Sequence, residues 1–221
     1  MTTEQAANVL AEDAAAQCEA TAAALARNDA YVRGFVEQLG LCPYARRCRE
    51  AGRLHRRVLF SEAAAAGAVA ELEALPADAV EVALLIFPRF DRGARAFEAF
   101  RGTVREQMAG AHPAGEPPFF CVAFHPDLPM DLGDAHRAVH FIRRSPDPTL
   151  QLVRASVLRQ VRAGRTGGST FVDTRRLTAA ELMALEAPAG LSDQIAEANL
   201  AALRRAGPER LAAALASLRA G

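Results

Sequence analysis

Val80-Glu81-Val82-Ala83-Leu84-Leu85-Ile86-Phe87 is the stretch on which the fold turns. Every residue but Glu81 is apolar, and Pro88 stops the run at once. So short and continuous a run predicts a strand covered on both faces, because a strand with one wet face alternates apolar with polar. Working outward, Ser61 is placed to cap a helix over 62–75 on one side. On the other side Phe97, Phe100, Val104 and Met108 recur at helical steps over about 92–109. Beyond these lie two more strand-like runs, Leu54 to Phe60 and Phe119 to Phe124. Strand–helix–strand–helix–strand predicts a mixed, helix-rich α/β fold. Its sheet is small, three- to four-stranded and mainly parallel, and helices flank it. A ferredoxin-like α+β arrangement is the alternative.

The ends read as helices. Residues 3–27 are Ala-rich. Asn28 or Asp29 is placed to cap a second helix to Leu39, with Tyr31, Val32, Phe35 and Val36 as its buried stripe and Gly40 just past it. Pro43 opens an arginine-rich helix that Gly52 closes. Asp134 is placed to cap a helix to Ile142, Thr149 one running to Arg162, and further helices start near Thr178, Ser192 and Pro208. Thr170 to Val172 reads as a short edge strand. The chain of 221 residues is expected to form one domain, with 1–27 as a helical extension, 28–162 as the core and 163–221 as a helical end.

Composition bounds function. The 26 basic and 26 acidic residues balance, which argues against a nucleic-acid footprint. No apolar run approaches the roughly 20 residues that span a bilayer, so no membrane association is expected. The acidic, non-basic start argues against a secretory signal and for the cytoplasm. Every basic side chain is arginine. With no lysine, Schiff-base catalysis on lysine and a Walker A loop are both excluded. Cys18, Cys42, Cys48 and Cys121 form no C-x-x-C pair. Arg46, Arg47, Arg49, Arg53, Arg56 and Arg57 crowd one stretch. It is either a solvated helix face or an anion site.

Three motifs carry candidate chemistry. His125-Pro126-Asp127 falls where the third strand ends, and ligands of open α/β sheets bind beyond strand C-termini. His125 is a candidate acid, base or metal ligand, with Asp127 as its orienting partner or a second ligand; the plain alternative is a loop histidine beside a turn aspartate. In Arg144-Ser145-Pro146-Asp147-Pro148-Thr149 two prolines stiffen the loop. Arg144, with Ser145, is a candidate clamp for a small anion. Thr149 caps the next helix, whose N-terminus also favours anions. In Leu41-Cys42-Pro43-Tyr44-Ala45, Cys42 stands near a helix start and arginines, conditions that favour a reactive thiolate; the alternative is an inert cysteine. His136 and His140, at i and i+4, have a spacing that reaches one metal, or are merely surface histidines. Arg89, after the second strand, is a further anion-binding candidate. A single divalent metal or, through the Cys-Pro pair, haem are the candidate cofactors.

The three motifs in this order resemble a bacterial family of uncharacterised proteins with Leu-Cys-Pro-(Phe/Tyr)-Ala, Phe-His-Pro-Asp and Arg-Ser-Pro-x-Pro-Thr. The resemblance covers about Tyr31 to Arg162 and the helix with Ile195, Asn199 and Leu200. It makes 1–27 and 165–190 look like additions. Where that family has an Asn shortly before its third motif, this chain has His140. The resemblance implies a shared site and no named reaction. Two functions follow as expectations. One is an enzyme acting on a small anionic substrate, with catalytic Cys42, His125 and Asp127 and substrate-binding Arg144, Ser145, Arg89 and Thr149. The other is a non-catalytic ligand- or partner-binding protein whose Ala-rich helices serve association, including with a second copy. A shared pocket for the three motifs separates the first from the second.

Overall fold

The computed structural model describes residues 3–163 and 191–220. The strands are β1 (Leu54–Val58), β2 (Val82–Ile86), β3 (Phe119–Phe124) and β4 (Thr149–Arg154). The helices are α1 (Thr3–Tyr31), α2 (Ala45–Glu50), α3 (Ala65–Ala74), α4 (Ala94–Ala111), α5 (Ala135–Ile142), α6 (Ala155–Ala163), α7 (Leu191–Ala206) and α8 (Pro208–Ala220). A π-helical segment, Val32–Glu37, continues α1. The expected break at Asn28 or Asp29 is therefore absent. Asn28 is a buried residue of the long helix, on the stripe that also carries Ala24, Tyr31 and Phe35. Four-residue spacing from 24 to 28 keeps the stripe on one face, so no cap is needed there.

The mixed α/β architecture, the small sheet and the flanking helices are as expected. The sheet order is β1-β2-β4-β3. The mainly parallel pairing is overturned: β1 and β2 are parallel, but β4 runs antiparallel to both β2 and β3. The ferredoxin-like alternative, a β-α-β-β-α-β order, is not met either, since a helix separates β2 from β3.

The reason lies in residues 149–162, expected to be one helix. They split into strand β4 and helix α6. Leu150 and Leu152 point to one face and are fully buried, a two-residue period, while helical spacing resumes only after Arg154. No Gly or Pro marks the junction. The strand proposed at Thr170 to Val172 and the helix from Thr178 lie outside the described residues.

Two apolar layers cover the sheet. Ala83 and Leu85 of β2, Leu150 and Leu152 of β4 and Phe119 of β3 pack against α3 and α4 through Leu72 and Phe97. Leu84 and Ile86 face the other way, against Tyr31, Phe35, Phe141, Leu200, Leu203 and Leu215 of α1, its π-helical continuation, α5, α7 and α8. Strand β2 is thus buried on both faces, which accounts for its unbroken apolar run. Ser61 accepts the Ala63 amide and Asp134 the Arg137 amide, so both predicted caps are in place. Gly40 and Gly52 carry φ of +66° and +71°, the left-handed turn-out that glycine adopts without a Cβ clash.

Candidate functional site

The reversed direction of β4 builds the site. Thr149, its first residue, sits beside Ile86 at the end of β2 and Phe124 at the end of β3. The loop before β4 and the loop after β3 therefore meet at one end of the sheet. A main-chain bond ties them, the His125 amide donating to the Arg143 carbonyl at 3.0 Å.

His125 is 3% exposed, and both ring nitrogens are engaged by main chain. Nδ1 accepts the Asp127 amide at 3.1 Å. That leaves Nε2 as the protonated nitrogen, donating to the Arg92 carbonyl at 3.1 Å. The ring lies against Phe90 and Phe97, with centroids 6.5 and 5.8 Å away. Burial disfavours the imidazolium, so the pKa is lowered, against the Arg92 bond and the Asp127 charge. Asp127 does orient His125, but through its amide; its carboxylate stands 3.9 Å from Nδ1. That carboxylate is half exposed and pairs with Arg219 of α8 at 3.0 Å.

The second loop is bonded to itself. Ser145 and Thr149 hydroxyls both donate to the Asp147 carbonyl, at 2.6 and 2.9 Å. Thr149 is buried and opens a strand, so it caps no helix. The Asp147 carboxylate takes a two-pronged grip from Arg27 of α1, at 3.0 and 2.9 Å. Both side chains are mostly buried. The Tyr31 hydroxyl donates to the Ile142 carbonyl just upstream.

Arg144 is different. One terminal nitrogen donates to the Leu128 carbonyl at 2.7 Å, while its Nε is buried without a partner. Desolvation lowers its pKa; Asp127 opposes that shift and Arg219 adds to it. Arg144, Ser145, Pro126, Leu215, Ala216 and Arg219 line a cleft of about 220 Å³. A larger hollow of about 470 Å³ lies between α3 and α4, but its two charged lining residues, Glu62 and Arg92, pair with each other.

The remaining candidates do not line this cleft. Cys42 is exposed ahead of α2. Cys48 of that helix accepts the Arg53 amide through its carbonyl, at the start of β1, so α2 packs at the opposite end of the sheet. Helix α1 spans the gap. Arg27 touches Asp147, and ten residues later Glu37 touches Arg49 of α2, on the order of 12–15 Å of helix rise away. Burial pushes the Cys48 thiol up to about 11 and the Cys121 thiol to about 12. Arg89 is exposed and stacks over Phe60 at 4.8 Å. His136 and His140 are exposed on α5. Among the described residues, no three His, Cys, Asp or Glu side chains gather as a metal-binding group. None of their helices is long and apolar enough to cross a membrane.

Two residues of the site carried no sequence signal: Arg27, at the end of an alanine-rich helix, and Arg219, in the last one. No curated protein and no solved structure matches the chain. A family match spans residues 23–186, wider on both sides than the boundaries of 28 and 162 expected from sequence. It takes in Arg27, the residue that holds Asp147, and it runs through the stretch 165–186 that looked like an addition. On this match, over most of its length, the chain belongs to the family described as protein of unknown function (DUF1415).

Proposed function

We propose that this chain is a binding protein for a small anion, held in the cleft between the 125–127 and 144–149 loops and α8. The observation that carries this reading is a cleft lined by two guanidinium side chains, Arg144 and Arg219, of which Arg144 has no carboxylate partner among the described residues and keeps a buried Nε unmet. A guanidinium donor taken from water without an acceptor is costly, and an anion oxygen in the cleft offsets that cost once a small shift of the Arg144 side chain brings the donor to it. Binding is favoured over catalysis by two findings. Cys42 belongs to the far end of the sheet, and both His125 nitrogens are occupied by main chain, so among the described residues neither the thiol nor the imidazole expected to do chemistry is free beside Arg144. The reading requires no metal or haem. Four free thiols suit the reducing cytoplasm expected from the sequence.

The test is an NMR titration of arginine Nε–H signals with acetate and with phosphate. One such signal should shift saturably, and it should vanish from the spectrum of Arg144→Lys. Lysine keeps the reach to Leu128 but lacks the Nε edge, so affinity should fall about tenfold. Unshifted arginine signals for both anions would end the proposal.

A further inference from the structure

The cleft holds two guanidinium groups and, at its rim, one carboxylate. Asp127 lies 3.0 Å from Arg219 and also bears electrostatically on Arg144. Its main chain is anchored, because its amide donates to the buried His125 ring. The carboxylate therefore stays beside the cleft whether or not a ligand is present. Two positive charges and one negative leave one unit unmatched. A monoanion balances it, whereas a dianion brings a second negative charge up against Asp127. Apart from Ser145, whose hydroxyl is bonded to the Asp147 carbonyl, the rest of the lining, Pro126, Leu215 and Ala216, is apolar. A cleft of about 220 Å³ is below the usual range for drug-sized ligands, so it accommodates a small ligand of roughly ten heavy atoms or fewer.

We propose that Asp127 is the charge selector of this cleft, which takes a small monocarboxylate with a short apolar tail and turns away phosphate and sulfate dianions. This rests on the anion-binding reading above and adds the ligand class to it. Specificity here comes from a repulsive element placed beside an attractive one. Because Asp127 is half exposed, its effect is set by a screened interaction of the size found at protein surfaces, about fivefold in affinity.

The experiment compares propionate with sulfate, each titrated into the full chain and into Asp127→Asn, with Asp127→Ser as a second neutral replacement. The Arg144 Nε–H signal is the readout. The unmodified chain should prefer propionate over sulfate. Both neutral variants should shift that ratio toward sulfate by about fivefold, since each leaves two cations facing the ligand alone. A preference for sulfate in the unmodified chain, or an unchanged ratio in both variants, overturns the selector. If Arg144→Lys still weakens binding about tenfold in that case, measured by calorimetry, the anion site itself survives. If neither anion shifts the signal in the unmodified chain, the site and its selector fall together.

Discussion

The two ends of the sheet use arginine in opposite ways. At the end where β1 and β2 start, the crowded arginines have partners. Arg49 and Arg46 share the buried Glu37, Arg53 and Arg47 share Glu81, and Arg56 reaches Asp29 through one terminal nitrogen, although its Nε and other terminal nitrogen are buried and unmet. The Arg49 bond also holds the Glu37 carboxyl below its ordinary range. At the end where β3 finishes, Arg27 is matched to Asp147, but Arg144 touches no carboxylate among the described residues, only the Leu128 carbonyl. A cluster of cations is therefore a poor guide to an anion site. What matters is whether each guanidinium already has a carboxylate partner within the chain.

That contrast is open to attack by mutation. The largest effect is expected at the loop end. Arg27→Gln leaves Asp147 buried and unpaired, and urea unfolding should show a loss of about 3 kcal/mol. A loss near zero would mean the loop is held by its own bonds alone. Next comes His125→Ala, which leaves the Arg92 carbonyl and Asp127 amide without partners and should cost about 2 kcal/mol.

The pH dependence at His125 has a definite sign. A histidine whose folded pKa is lowered binds its proton more readily when unfolded. Its contribution is whole above the unfolded value, about 6.5, and is lost as pH falls through the folded value. Stability should therefore drop as the solution is acidified below that point. The slope should shrink in His125→Ala; an identical slope would move its origin to other groups.

At the arginine-rich end, Arg47→Gln removes an exposed arginine 3.9 Å from Glu81, which keeps Arg53, and unfolding should change by less than about 0.5 kcal/mol. Smallest of all in energy is thiol labelling. In the native state Cys18 and Cys42 should alkylate while Cys48 and Cys121 resist, as their exposure and raised pKa values dictate.

Much of the fold was legible because its signals are local. The β2 run, the Phe97 to Met108 stripe and the Ser61 and Asp134 caps each depend on neighbours within a few residues. Strand β4 was not legible. Leu150, Val153, Val157 and Leu158 fit a helical period as well as Leu150 and Leu152 fit a strand, and only pairing with β2 and β3 decides between them. Misreading β4 also hid the direction of the sheet. The convergence of the second and third motifs was in reach as a family pattern, but its geometry depends on that antiparallel strand. Arg27 and Arg219 come from 120 and 92 residues away in sequence from their partners, a relation no local pattern encodes.

The order β1-β2-β4-β3 has a consequence for the chain as it leaves the ribosome. Among the described residues, strand β3 is made third, yet its only neighbour in the sheet is β4, made after it. Until residue 154 has emerged, Phe119-Phe-Cys-Val-Ala-Phe124 has helix α4 to lean on but no strand beside it. Its main-chain donors and acceptors stay open to other nascent chains during that interval. Synthesis paused between residues 124 and 149 should therefore be the point at which this protein aggregates most readily.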